Sequence, residues 1–222
     1  MPVHRISRFG FVNAYLVEED DGLTLVDTML PRSAKAILAA AGGRPIRRIA
    51  LTHAHGDHVG SLDALAPGLP GVEVSISGRD ARLLAKNTTT DPGEPPDAKM
   101  RGSFPGTRTQ PTRTLVPGDR VGSLEVVAAP GHTPGHVAFL DTRDRTLIAG
   151  DAFSTIGGVA TSAKVNPLFP FPVVATWHRP TALESARALR ALDPARLAVG
   201  HGPTVDAPGV AMDKAIAKAA RP

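Results

Sequence analysis

Three histidines and an aspartate crowd into one short stretch of the chain. The segment LTHAHGDHVGS carries His53, His55, Asp57 and His58. Because side chains alternate along an extended chain, two imidazoles two positions apart can face one ion together. Gly56, which follows the second of these histidines, permits a tight turn, so Asp57 and His58 can reach the other side of that ion or a second ion. The pattern predicts a metal site rather than scattered surface histidines.

Three further potential ligands stand beside glycines at the ends of predicted strands: His132 in APGHTPGH, Asp151 in LIAGD and His201 in LAVGHG. In α/β proteins, strand ends bring residues that are distant in sequence to one edge of a sheet. With the first four residues they make five histidines and two carboxylates, enough for two ions. The chain has no cysteine, so we expect nitrogen and oxygen ligands, which suit zinc and also iron or manganese.

The elements that must position these residues alternate between strands and helices. Two strand-like runs separated by DDG predict a hairpin, and AKAILAAAGG predicts a helix that ends at its glycines. RRIALTHAH predicts a strand that runs into the histidine cluster, and VGSLDALA predicts a helix after it. Thr181 and Glu184 have the spacing of a capping box and predict the start of a late helix. The alternation favours a layered α/β fold.

Length and composition fit one domain spanning residues 1–222. The chain is 42% hydrophobic and 21% charged, and its net charge of +4 is spread along the sequence. No apolar run approaches the roughly 20 residues of a membrane span, and the N-terminus lacks the pattern of a secretory signal. We therefore expect a cytoplasmic protein that acts on a small molecule, with neither a membrane nor a nucleic acid as its partner. The sequence does not predict the oligomeric state.

The order of these motifs resembles that of the metallo-β-lactamase fold hydrolase superfamily. HxHxDH is followed by GHTPGH, a GD strand end and a GHG strand end, and TLVDT precedes them all. The resemblance implies an α/β fold built as a four-layer αββα sandwich, with two mixed sheets flanked by helices. It also implies a dinuclear metal site along one edge of the sheets.

The resemblance further implies a role for each candidate residue. Asp57 is expected to orient a water or carry a proton to the leaving group, in addition to binding metal. Of the remaining histidines, we expect a structural role for His136 and a surface position for His4. His178 lies in a proline-rich stretch that could line the pocket, but the sequence favours a position outside it. The implied ligands are His53, His55 and His132 on the first ion, Asp57, His58 and His201 on the second, Asp151 as the bridge, and Asp27 of TLVDT as a support behind them.

The predicted chemistry is hydrolysis by a hydroxide held between two divalent ions, since one zinc already lowers the pKa of bound water to about 7. We expect the substrate to be a carboxylic thioester, ester or lactone. The commonest β-lactamases of this superfamily use a cysteine where this chain has Asp151. Glyoxalase II enzymes add a C-terminal helical domain, whereas only 21 residues follow His201 here. Homoserine-lactone lactonases have a tyrosine at the position of Ser154. These differences argue against a close match to any one of the three enzyme types.

The basic composition leaves a phosphodiesterase of the ribonuclease Z type as the alternative function. A β-lactamase and a non-catalytic metal-binding protein have less support from the residues. Two segments rich in proline and glycine, 87–111 and 155–179, are predicted to be loops that overhang the metals and set specificity. Five aromatic residues either make this pocket apolar or serve as ordinary packing residues: Phe104, Phe153, Phe169, Phe171 and Trp177.

Overall fold

The first half of the chain builds a six-stranded mixed sheet. The structure is a computed structural model and describes residues 2–221. The first three strands pair antiparallel, and the remaining strands are added in parallel. In both chain and spatial order the strands are β1 (Val3–Arg8), β2 (Val12–Glu19), β3 (Gly22–Val26), β4 (Ile46–Ala50), β5 (Glu73–Ser77) and β6 (Arg113–Leu115).

The second half builds another six-stranded mixed sheet and a separate two-stranded ribbon. The sheet strands are β7 (Arg120–Val121), β8 (Leu124–Ala128), β9 (Val137–Asp141), β10 (Thr146–Ile148), β13 (Arg196–Ala198) and β14 (Val205–Asp206), and the ribbon strands are β11 (Phe153–Ser154) and β12 (Ala160–Thr161). The spatial order of the sheet is β14-β13-β10-β9-β8-β7. Its β10 and β13 run parallel, and its other neighbouring strands run antiparallel.

Seven α-helices and two short 3-10 helices (Ala66–Gly68 and Gly150–Ala152) accompany the sheets within residues 2–221. The α-helices are α1 (Ala34–Ala41), α2 (Gly56–Val59), α3 (Leu62–Leu65), α4 (Gly78–Leu84), α5 (Phe171–Val174), α6 (Arg179–Ala191) and α7 (Gly209–Ala219). Residues of α1 to α4 pack in one apolar cluster with the first sheet, and residues of α6 and α7 pack in another with the second sheet. None of these helices is long and apolar enough to cross a membrane.

Three apolar clusters separate four layers of secondary structure. Along β2, Leu16 belongs to the cluster beneath the helices, whereas Tyr15 and Val17 belong to the cluster between the two sheets. Along β9, Phe139 faces the first sheet and Leu140 faces α6 and α7. Because successive side chains of a strand point to opposite faces, each sheet is buried on both sides. The αββα sandwich expected from the sequence is therefore confirmed.

Several element boundaries differ from the sequence-based prediction. β4 ends at Ala50, so the histidine cluster follows the strand instead of lying on it. The single helix expected for VGSLDALA is two short helices, and Gly60 between them packs so closely on Pro31 that a Cβ there would lie 2.5 Å from the proline ring. The capping-box prediction is wrong. Helix α6 starts earlier, at Arg179, and its cap is His178.

Candidate metal centre

All seven predicted ligands lie together at the edge where β4, β10 and β13 end. Six of the seven side chains are buried, and Asp57 is 35% exposed. Their potential ligand atoms form overlapping groups, each within 4.8 Å: His53 with His55 and His132, His53 with His58 and Asp151, and Asp57 with His58 and His201. The geometry thus brings together residues that are up to about 150 positions apart in the chain.

Threonine hydroxyls orient two of the histidines. His53 Nδ1 lies 3.0 Å from the hydroxyl of Thr52. His132 Nδ1 lies 3.1 Å from the hydroxyl of Thr176. Each hydroxyl donates its own proton to a carboxylate or a backbone carbonyl at 2.7 Å, so it accepts from the imidazole. Both rings therefore carry their proton on Nδ1 and turn the lone pair of Nε2 toward the centre.

Backbone carbonyls orient two more of the histidines. His55 Nε2 donates to the carbonyl of Arg101 at 2.9 Å, which leaves Nδ1 free to bind an ion. His201 Nδ1 donates to the carbonyl of Phe11 at 3.2 Å, which leaves Nε2 free. A carbonyl only accepts, so the tautomer of each ring is fixed by its partner. The hairpin turn between β1 and β2 and the loop 87–111 thereby position one ligand each.

Asp27 lies behind the centre, where the sequence placed it. Its Oδ2 is 2.8 Å from His58 Nδ1, and its Oδ1 accepts the backbone N–H of Thr52 at 2.8 Å. The residue is buried and has a φ of 60°, which is strained for a side chain other than glycine. Asp27 therefore orients His58 from outside the group of ligand atoms.

Asp151 lies between the two groups of histidines. Its Oδ1 is 3.3 Å from His58 Nε2, and its Oδ2 is 3.4 Å from His132 Nε2 and 3.1 Å from His201 Nε2. Gly200 passes so close that a Cβ there would lie 2.1 Å from Asp151 Oδ1. The glycine of the GHG motif is thus needed to admit this carboxylate.

Three buried polar atoms at the centre are left without a hydrogen bond. Among residues 2–221, these atoms are His53 Nε2, His58 Nε2 and Asp151 Oδ1. Unpaired buried polar atoms are costly, so a native site that gathers them implies a partner. Imidazole nitrogens and carboxylate oxygens within a few ångströms of one another are the donors that zinc, iron and manganese accept. The residues present fit divalent ions.

The two groups of histidines differ in charge. Burial holds the pKa values of His53, His55 and His132 below their usual range. Burial opposes a charge on His58 too, but Asp151 and Asp27 outweigh it and raise its pKa well above the usual range. Asp151 likewise overcomes burial and raises the pKa of His201 to about 9. The surroundings in metal-free protein therefore favour neutral imidazoles in one group and charged imidazoles in the other.

A cavity of about 210 Å³ opens onto the ligands. Loop 87–111 contributes Gly102 and Ser103 to its wall, and loop 155–179 contributes Phe171, Pro172, Val174 and Ala175. Within the described residues, neither a lysine nor an arginine lines this cavity. Residues 87–111 form a loop as predicted, but the loop prediction is wrong in part for 155–179, which contains β12 and α5. Both segments border the candidate metal centre, and their contribution to its wall is mainly apolar.

The family model of the metallo-beta-lactamase superfamily matches residues 7–201, which include every candidate ligand. The chain belongs to the metallo-beta-lactamase superfamily. Members of this superfamily bind divalent metal ions, and the His and Asp cluster described above provides the corresponding groups. This member is a hydrolase, as relatives named metallo-hydrolases indicate.

Relatives in the superfamily differ in how far they match this chain. The uncharacterized protein YobT of Bacillus subtilis (strain 168) is 48% identical over 94% of this chain and 90% of its own length. The probable metallo-hydrolase YflN of the same organism is 28% identical over 86% of this chain and 80% of its own. The hydroxyacylglutathione hydrolase of Stenotrophomonas maltophilia (strain R551-3) is 29% identical over 64% of this chain and only 46% of its own.

A solved structure of the protein TTHA1623 in a di-iron-bound form shares the fold. Its TM-score is 0.65 at 26% sequence identity, and the match covers 93% of this chain and 95% of that one. This chain therefore matches the solved structure over nearly its full length, whereas it spans about half the length of the hydroxyacylglutathione hydrolase.

The five candidate aromatic residues divide between the cavity, its surroundings and the core. Phe171 lines the cavity, and the ring of Phe169 packs 5.2 Å from that of His201. The ring of Phe104 lies 4.7 Å from that of His55 and packs against the first apolar cluster. Two of them have the alternative packing role: Phe153 is fully buried among apolar side chains beneath α6 and α7, and Trp177 is buried outside the cavity.

The histidines outside the ligand set have other roles. His136 is buried, and its Nε2 accepts the backbone N–H of Asp151 at 3.1 Å, which agrees with the expected structural role. His4 is exposed and pairs with Glu18, as expected for a surface residue. His178 caps α6 and does not belong to the cavity wall, so the less favoured possibility of a pocket role is not realised.

Sequence analysis missed several residues that hold the ligands in place. Thr52 and Thr176 orient His53 and His132, but a lone threonine has no spacing that distinguishes it from others. Asp80 did have a signal, because it follows β5 and that strand is parallel to β4. A strand-end carboxylate at this edge could have been recognised by the reasoning that found Asp151.

Proposed function

We propose that this chain is a dinuclear metal-dependent hydrolase that cleaves a carboxylic ester, thioester or lactone with an apolar acyl part. The observation that carries the proposal is the convergence of seven nitrogen and oxygen donors on a cavity whose remaining wall is mainly apolar. Zinc is the preferred metal, and iron is the next candidate because a structural relative is described in a di-iron-bound form.

The proposed ligands divide into two sets joined by one carboxylate. Divalent ions held there would polarise a carbonyl oxygen and make water acidic enough to attack it near neutral pH. The separation of the two sets is supported by the overlapping groups of donor atoms. The proposed sets are His53, His55 and His132 for the first ion, Asp57, His58 and His201 for the second, and Asp151 shared between them.

Asp57 is the proposed group for handling protons. It is the most exposed of the candidate ligands, it borders the cavity, and its Oδ2 lies 3.2 Å from His201 Nε2. Burial opposes its charge, but His58 and His201 hold its pKa below the usual range. A carboxylate that stays charged can accept a hydrogen bond from water, orient it and pass a proton toward the leaving group.

The cavity wall supports a neutral acyl substrate over a phosphodiester. Phosphates and free carboxylates are usually recognised by arginine or lysine, and the described wall has neither. Arg113, one of the basic residues near loop 87–111, is engaged by Glu73 at 3.6 Å and Asp119 at 3.5 Å. Phe171 is 68% exposed beside the cavity and offers an apolar surface to an acyl chain.

Metal analysis followed by a substrate panel tests the proposal. The panel comprises aryl esters of short and medium chain length, an acyl-homoserine lactone, a glutathione thioester, a cephalosporin and an aryl phosphodiester. We expect two divalent ions per chain and turnover of neutral acyl substrates that improves with chain length. Selective cleavage of the phosphodiester would contradict the proposed substrate class, and fewer than two ions would contradict the proposed site.

A further inference from the structure

A buried carboxylate outside the ligand set connects two segments of the centre. Asp80 is fully buried in the first turn of α4. Its Oδ2 accepts the backbone N–H of Ala54 at 2.9 Å and the hydroxyl of Thr133 at 2.8 Å. Its Oδ1 accepts the backbone N–H of Gly135 at 2.8 Å. One side chain therefore receives hydrogen bonds from two separate loops.

These two loops supply the whole three-histidine set. Ala54 stands between His53 and His55, and Thr133 directly follows His132. A shift of either loop would change the distance between the pair of imidazoles on one loop and the single imidazole on the other. His55 Nδ1 and His132 Nε2 are 3.0 Å apart, so small movements change whether one ion can contact both.

The surroundings of Asp80 are shaped to bring the loops close. A Cβ on Gly135 would lie 2.5 Å from Asp80 Oδ1 and 2.5 Å from the hydroxyl of Ser77. That hydroxyl accepts the backbone N–H of Asp80 at 3.2 Å and fixes the start of the helix. The second glycine of GHTPGH is therefore explained by close approach to this carboxylate.

Burying a charged carboxylate at position 80 has a cost in free energy. Burial raises the pKa of Asp80 to about 6, against the opposing effect of its hydrogen bonds. A neutral side chain would avoid the cost of burying a charge, yet it could not accept from three donors as a carboxylate does. The buried carboxylate is therefore matched to the three donors that the two loops present.

We propose that Asp80 is a positioning residue for the ion held by His53, His55 and His132. It fixes the spacing of the two loops and so sets the affinity for that ion. The inference rests on the proposed two-ion site. The second set depends on different supports, Asp27 behind His58 and the Phe11 carbonyl behind His201, so its ion is expected to stay.

Metal titration of Asp80→Asn tests the inference without using activity. Asparagine keeps the shape, but its amide must turn a donor toward at least one of the three donors. Metal-free wild type and variant are titrated with Co²⁺, and the imidazole N–H signals shifted by the bound ion are recorded by proton NMR. We expect affinity for one ion to fall by about 10- to 100-fold, with loss of the signals of the three-histidine set.

Asp141→Asn is the matched control. Asp141 is also fully buried and also accepts three hydrogen bonds, but they come from Arg143 at the far end of β9. We expect this control to lower thermal stability while it keeps both ions. The inference would be overturned if Asp80→Asn bound each ion as tightly as wild type does. It would also be overturned if the variant lost affinity for both ions to the same extent.

Thr133 provides a second pair of variants if Asp80→Asn does not fold. Thr133→Val removes one hydrogen bond to Asp80, whereas Thr133→Ser keeps the hydroxyl. We expect the valine variant to weaken the same ion severalfold and the serine variant to restore its affinity. Identical metal affinities in the two variants would overturn the inference. Wild type that binds fewer than two ions would instead contradict the proposed site.

Discussion

The two halves of the candidate metal centre are built in opposite ways. In the three-histidine half, His53, His55 and His132 donate to neutral oxygens of threonine and backbone, and burial keeps them uncharged. In the mixed half, Asp57, His58 and His201 lie among carboxylates that favour charged imidazoles.

The difference teaches how the two ions would bind. An ion entering the three-histidine half meets lone pairs that are already free and oriented. An ion entering the mixed half must displace protons from imidazoles, which makes its affinity depend on pH. The three-histidine half is therefore a preformed nitrogen site, whereas metal binding to the mixed half releases protons.

Removal of the carboxylate that touches both halves should have the largest effect. Asp151→Asn keeps the shape but removes the charge that faces His58, His132 and His201. We expect both ions to bind more weakly and kcat/KM to fall by about 1000-fold, or roughly 4 kcal/mol of transition-state stabilisation. Metal content and ester hydrolysis measure the two effects.

Asp206→Asn is the control for this change, because Asp206 is exposed and pairs with Arg196 at 2.6 Å on an edge strand. It should behave as wild type in both assays. If Asp151→Asn kept two ions and full activity, the two halves would not share a carboxylate, and the proposed bridge would be wrong.

Competition between protons and metal should make the metal affinities of the two halves depend differently on pH. This effect is expected to be smaller than that of Asp151→Asn. The pKa of His201 is raised to about 9, so this ring is protonated in metal-free protein at pH 7. Affinity for the ion of the mixed half should therefore rise at least tenfold per pH unit between pH 7 and 9, and up to about a hundredfold per pH unit where His58 is charged as well. Affinity for the ion of the three-histidine half should stay nearly constant, because its rings are already neutral.

Calorimetric titration in buffers with different ionisation enthalpies measures the protons released by each ion. The expected result is release on binding to the mixed half and little release on binding to the other half. Equal proton release for both ions would show that the surroundings do not separate the halves.

The ligand residues could be recognised from sequence because each carries a local signal. His53 and His55 have alternate spacing, and Asp151 and His201 stand beside glycines at strand ends. The layered fold was also predictable, since the strand-like and helical runs alternate along the chain. The structure explains the glycine next to His201 by its close approach to Asp151.

Residues whose role depends only on tertiary contacts could not be recognised in the same way. Thr176 reaches His132 from a loop more than 40 positions away, and nothing in its neighbours indicates that contact. Phe153 was as good a candidate for the pocket as for the core from its sequence neighbours, and the structure places it in the core. The final helix α7 was not predicted, although Met212 and Ala215 lie on one face at helical spacing.

The smallest expected effect comes from a single neutral contact in the three-histidine half. Thr176→Val removes the hydroxyl that accepts from His132 Nδ1 and leaves a side chain of similar shape. We expect about a tenfold loss of affinity for the ion of that half and no change in its dependence on pH, since no charged group is lost. Thr176→Ser should restore the affinity. Thr161→Val is the control: Thr161 is also buried, its hydroxyl accepts the backbone N–H of Ala163, and its replacement should leave the affinity unaltered. If the metal affinity of Thr176→Val did depend on pH, His132 would need this hydroxyl to stay neutral. Burial alone would then not explain the difference in charge between the two halves.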